Sequence, residues 1–225
     1  MLLFQKEQLF QIGTMKPNTL VLRFGGPPGS GKSTVADSFA TRKFWGIFRW
    51  ESQADEGDRN PHQRTRGIRL LDFIDDKSVN VVIIDLGGHG VYFMSHQALV
   101  SADGAPVINA IVVSSLTELE QLQSDALQWA GFFACQVQPC SSLQPLLLFA
   151  TRGDRATSSQ KATVMNVFEK IKTNYAHYFT FPCLPFILDG RKSRSVEMIE
   201  LRTEIRNLQQ EVLNVRIYSN KLLRA

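Results

Sequence analysis

Short apolar runs alternate along the chain with stretches whose apolar residues recur every three or four positions. Residues 19–24 (TLVLRF) form a compact apolar run that ends in glycines, which predicts a buried strand. Residues 32–40 predict a helix. Residues 67–74 and 79–86 predict two strands joined by the polar turn Asp75-Asp76-Lys77-Ser78. A helix is expected over 91–100 and a β-branched strand over 106–114. A long helix over 117–133 would place Leu119, Leu122, Ala126, Trp129 and Phe133 on one face. Then follow a strand over 145–150, a helix over 158–177, a short strand over 185–188 and a last helix over 195–215. Continuous apolar strands alternating with helices predict an α/β fold, its mostly parallel sheet covered by helices on both faces.

One stretch breaks the alternation. Residues 51–66 (ESQADEGDRNPHQRTR) are almost wholly polar. A loop of that length inside a compact domain is either functional or a tolerated surface excursion. The last helix carries Met198, Leu201, Ile205, Leu208, Val212 and Val215 at spacings of 3 and 4. That seam is expected to pack on the sheet, and its far end could dock a partner.

Composition narrows the class. The chain has 225 residues, 44% hydrophobic and 20% charged, which suits one domain with a full-sized core. Cys135, Cys140 and Cys183 are too few for a disulfide scaffold and read as ordinary thiols. The histidines lack ligand spacing, and Trp45 and Trp129 read as packing aromatics. No apolar run approaches the roughly 20 residues of a bilayer span, and the start MLLFQKEQLF does not read as a signal peptide. A cytoplasmic protein without a transmembrane segment is expected. Net charge is +4, but residues 191–225 hold 8 of the 25 basic and 4 of the 21 acidic residues, so residues 1–190 are balanced. A nucleic-acid partner is not expected from that distribution.

The strongest chemical signal is Gly26-Pro27-Pro28-Gly29-Ser30-Gly31-Lys32-Ser33, a full match to G-x-x-x-x-G-K-[ST] between a strand and a helix. Glycines let successive backbone N–H groups face an anion, and the helix N-terminus adds its dipole. Lys32 can reach the β/γ-phosphates, Ser33 can ligate Mg²⁺, and Thr34 can add a phosphate contact. The motif indicates a P-loop NTPase and is silent on the base.

Three further segments follow in order. The strand VVIID ends in Asp85, where a carboxylate can meet the metal, and Asp85-Leu86-Gly87-Gly88 spells D-x-x-G, whose last glycine can give its N–H to a γ-phosphate. Thr151-Arg152-Gly153-Asp154 follows the strand LLLFA. In N/T-K-x-D loops the Asp accepts from guanine N1–H and the 2-amino group, and the Arg152 stem would cover the base. Asp189-Gly190 stands where a backbone N–H can read guanine O6, and Thr65, closing the polar loop, stands where a switch threonine can cap Mg²⁺ and the γ-phosphate.

Together these residues resemble the Roc (Ras-of-complex) domain of Roco proteins, most closely that of death-associated protein kinases. GGPPGSGKSTVADSF, RTRGIRL, IDLGGHGVYFMSHQALV, LEQLQSDALQWAGFF, LLLFATRGD and PFILDGRKSRSVEMIELRTEIRNL carry the likeness, from about Leu20 to Val215. The resemblance implies a Ras-like G domain, GTP or GDP with Mg²⁺, and weak hydrolysis coupled to conformational change or dimerisation. It also implies a second copy, or a COR- or kinase-type protein, as partner. The expected layout is an N-terminal extension over 1–18, the Roc-like G domain over 19–215 and a tail over 216–225.

The sequence departs from that pattern in three ways. His89 stands where many GTPases carry the glutamine that orients water. No H-R-D or D-F-G constellation is present, so the chain is not itself a protein kinase. The guanine boxes are degenerate, which leaves ATP open. Two other classes therefore stay open: a non-catalytic nucleotide-binding scaffold, and a small P-loop kinase.

Overall fold

The computed structural model describes residues 19–40, 68–74, 80–88, 107–137 and 143–222. Over these residues seven strands form one sheet. They are β1 (Thr19–Gly25), β2 (Ile68–Ile74), β3 (Asn80–Leu86), β4 (Val107–Ser114), β5 (Gln144–Thr151), β6 (Phe179–Thr180) and β7 (Phe186–Ile187). Their order is β2-β3-β1-β4-β5-β6, with β7 also paired to β5. Only β2 and β3 pair antiparallel among the described strands. The described helices are α1 (Lys32–Ala40), α2 (Leu119–Ala134), α3 (Ser158–Tyr175) and α4 (Val196–Leu222).

Because the inner strands are apolar on both faces, each face takes its own layer. Val21, Ile84, Ile111 and Leu148 pack with Trp129, Phe133, Val164 and Phe168 of α2 and α3. On the other face, Leu22, Phe24, Ile83 and Ile108 pack with Val35 and Phe39 of α1 and with Met198, Leu201 and Ile205 of α4. The α4 seam is therefore a packing stripe as far as Leu208. Local signals agree with the long-range ones. Thr157 and Gln160 close a reciprocal capping box at the start of α3, with bonds of 3.2 and 2.9 Å.

Some expectations need correction. Leu119 is 52% exposed, and the buried stripe of α2 starts a turn later at Leu122 and takes in Ala130. As the first residue of its helix, Leu119 projects toward a surface groove it shares with Thr163, Val167 and Lys170 of α3. The last helix runs on to Leu222, past the expected end at 215. Strand β6 was not expected, since two residues are too few to show a period; it forms by pairing with Gln144 and Pro145. The polar stretch 51–66 with Thr65, the helix expected over 91–100, and His89 lie outside the described residues.

Topology fixes where a ligand can sit. β3 joins β1 on one side and β4 joins it on the other. The strand order thus reverses at β1, and the crevice at the carboxyl ends of the strands flanking such a point is where open α/β sheets bind ligands.

Candidate functional site

Four of the expected segments converge on that crevice: the loop after β1, the end of β3, the turn after β5 and the turn after β7. The β1 loop needs its glycines. Gly29 and Gly31 have φ of +75° and +90°, in the left-handed region that favours glycine. Pro28 and Gly29 face solvent, whereas Ser30 is buried; Thr34 is exposed at the first turn of α1. The loop closes on itself through Ser30 N–H, which donates to the Pro27 carbonyl at 3.2 Å.

Lys32 is buried, and its Nζ donates to the carbonyls of Gly26 (2.8 Å) and Pro27 (2.9 Å) and to Ser30 Oγ (3.4 Å). The ammonium thus braces the loop across its mouth. Burial pulls its pKa down to about 8, against the pull of Asp85, which favours the charged form.

Asp85, the last residue but one of β3, has 0% exposure. Burial pushes its carboxyl up, opposed by Arg69, by a hydrogen bond from Ser33 and by Lys32. Ser33 and Asp85 therefore meet, as the sequence pattern requires. A hydroxyl beside a carboxylate is an oxygen donor pair that suits Mg²⁺. Among the described residues no three His, Cys, Asp or Glu side chains form a metal cage. An ion here would be held by Ser33 and Asp85, with water and phosphate oxygens completing its shell; when bound it supplies charge neutralisation to a polyphosphate.

Gly88 lies against the same loop. A Cβ there would overlap the backbone at Pro27 and Pro28 and come within 2.7 Å of the Gly26 carbonyl. Neither contact is a side-chain tip that can swing away. Gly88→Ala is therefore expected to cost about 1–3 kcal/mol, lowering the melting temperature by about 3–10 °C. An unshifted thermal melt would show that this approach does not hold in solution.

The turn after β5 is latched to the β1 loop. Thr151 is buried, and its hydroxyl donates to the Ser30 carbonyl at 2.6 Å. Arg152 has φ of +60°, a conformation that costs a non-glycine residue about 1–3 kcal/mol. Its guanidinium donates to the Gly29 carbonyl at 3.0 Å, so the strained residue reaches the loop it flanks. Asp154 accepts from Arg191 Nη2 at 2.9 Å. Arg191 also bonds Asp189 at 2.9 Å, which holds that carboxyl below its usual range. The β7 turn is tied in by Gly153 N–H to the Leu188 carbonyl at 3.1 Å, and the Gly190 carbonyl accepts from Ser38 of α1.

Two residues join the site without a motif to announce them. Arg69 of β2 contacts Asp85, Asp37 and the Ser33 carbonyl. Arg191 follows Asp189-Gly190 in sequence, and that adjacency is its only signal. It belongs to the turn before α4 and bridges two of the site's carboxylates. Of the cysteines, Cys135 and Cys183 are free thiols away from this crevice, and burial pushes Cys183 up to about 12.

No family model matches the chain, and no curated protein matches it. Solved structures do. A bacterial selenocysteine-specific elongation factor, EF-Sec, superposes with a TM-score of 0.59 at 12% identity, over 85% of this chain and 28% of that one. The Arl6 BBS3 small GTPase from Trypanosoma brucei, solved with the nucleotide analogue GppNp, superposes with a TM-score of 0.56 at 17% identity, over 86% of this chain and 97% of that one. The chain therefore spans less than a third of the elongation factor's length. It shares with both the same architecture, an α/β fold with a mostly parallel sheet. At these identities the likeness is one of fold, and neither neighbour is a Roco protein.

Proposed function

We propose that this chain is a guanine-nucleotide-binding module of the Roc type, a G domain over residues 19–215. Mg²⁺ with GTP or GDP would lie on Gly26–Thr34, with Ser33, Asp85 and Thr65 on the metal side. Thr65 and Gly88 would sense the γ-phosphate, and His89 would stand by the attacking water. Thr151, Arg152 and Asp154 would hold the base, with Asp189 and Gly190 closing its pocket. Slow hydrolysis would be coupled to movement of the segments that carry Thr65 and His89.

The observation that carries the reading is the latch between the two loops. Thr151 and Arg152 reach the carbonyls of Ser30 and Gly29 at 2.6 and 3.0 Å. A phosphate cradle and an Asp-bearing turn bound together in this way suit one ligand with a polyphosphate at one end and a base at the other. The Roc branch rests on the sequence likeness, and a COR- or kinase-type partner or a dimer rests on that branch alone.

The test is a titration of the purified protein with GTP, GDP and ATP. Guanine nucleotides are expected to bind at least about tenfold tighter than ATP, as an Asp that pairs with two donors on guanine requires. Equal or tighter ATP binding would remove Asp154 as the base reader and favour an ATP-binding module. A second reading, nucleotide held without turnover, draws on His89 in the glutamine position. Tight GTP binding with no phosphate release over hours would select it.

A further inference from the structure

The feature that the fold and the motifs leave unexplained is Arg69. Its backbone position is fixed by the antiparallel register, which sets Arg69 directly opposite Asp85. Residues paired in this way project from the same face of the sheet. The side chain is then held on three sides by three elements. Its Nε lies 3.3 Å from Asp85 Oδ2 at the end of β3. Nη1 donates to Asp37 Oδ1 of α1 at 3.0 Å, and Nη2 donates to the Ser33 carbonyl at 3.1 Å.

A fully buried carboxylate needs a counter-charge, since an unpaired one is strongly disfavoured. In this site the counter-charge is a side chain of the protein, and it touches the two residues best suited to hold a divalent ion, Ser33 and Asp85. A second cation on the same carboxylate meets the guanidinium at short range, where like charges repel and screening is weak. The positive charge that a polyphosphate needs at this corner is already supplied in part by Arg69. Arginine suits this task better than lysine, because its fork can bond Asp37 and the Ser33 carbonyl at once.

We propose that Arg69 is a resident counter-ion at the metal corner, which makes nucleotide binding by this chain largely independent of magnesium. The inference rests on the nucleotide-binding reading above. Arg69 acts through Asp85 and Ser33 as a positioning residue.

The experiment titrates a fluorescent GDP into the full chain, in excess Mg²⁺ and in excess chelator, for the wild type, Arg69→Gln and Arg69→Lys. Coupling between two ligands of one protein typically spans about 5–150-fold. The wild type is expected below about fivefold, Arg69→Gln at about thirtyfold or more, and Arg69→Lys between them. A wild type with a magnesium dependence as steep as that of Arg69→Gln overturns the inference while leaving nucleotide binding intact. A flat response in all three proteins removes Arg69 as the cause. If the Gln variant does not fold, the wild-type ratio alone decides, because a steep one is incompatible with a resident counter-ion. Absence of GDP binding with and without magnesium overturns the nucleotide reading, and this inference with it.

Discussion

Lys32→Ala is expected to lose nucleotide binding by a factor of about 30 to several thousand. Removing one partner of a buried, hydrogen-bonded charge pair costs about 2–5 kcal/mol, and each 1.4 kcal/mol is tenfold in affinity. Lys32 is buried at the mouth of the loop and already bonds the carbonyls of Gly26 and Pro27. Those bonds keep the ammonium in place for a phosphate oxygen to accept from it. The fold should survive the change. The variant loses three hydrogen bonds but also removes a cation that burial disfavours, so a melting temperature close to the wild-type value is the expected control. GTP bound by a folded Lys32→Ala protein with unchanged affinity would overturn the phosphate-loop reading.

Asp154→Asn is the second large effect. Guanine offers N1–H and a 2-amino group, both donors, and a carboxylate can accept from both. The Asn side chain turns one acceptor into a donor and leaves a polar group facing its like. Loss of a hydrogen bond to a charged group, together with an unsatisfied partner, is worth about 2–4 kcal/mol, so GTP affinity should fall by about 30- to 1,000-fold. Xanthosine nucleotide, with a carbonyl in place of the 2-amino group, should bind the variant better than it binds the wild type. The carboxylate starts from an ion pair with Arg191 at 2.9 Å. A solvent-exposed pair of that kind contributes little, so guanine can displace it. GTP affinity left unchanged by Asp154→Asn would end the base assignment.

The elements that read best from sequence are those whose burial is local and periodic. Helix α1 spans Lys32–Ala40 as expected, because the glycine loop before it fixes its start. β4 is buried at every position, which is why a strongly β-branched run announces it. Boundaries drifted where the decisive contact is distant. Leu119 carries the period of α2 but sits beyond the sheet that buries the others. β6 exists only because Gln144 and Pro145 are beside it. The site divides along the same line. That Lys32, Ser33, Asp85 and Asp154 come to one crevice was legible because they stand in contiguous motifs at strand ends. Arg69 was not, because its meaning comes from a register that pairs it with a residue 16 positions away.

The latch between Thr151 and the Ser30 carbonyl has a thermodynamic consequence. Two recognition loops that were mechanically separate would each contribute its own share of affinity, and damage to one would leave the other's share intact. Here the hydroxyl at the end of β5 holds the shape of the loop after β1, and the Arg152 guanidinium does so at the neighbouring Gly29 carbonyl. Losses at the two ends of the ligand should therefore fail to sum. A Thr151→Val protein would bind inorganic triphosphate worse, although that ligand has no base for the turn to touch. In a double-mutant cycle with Asp154→Asn the two losses would overlap. Selectivity for the base and grip on the phosphates would then be properties of one cooperative unit, so that a change which relaxes the first also loosens the second.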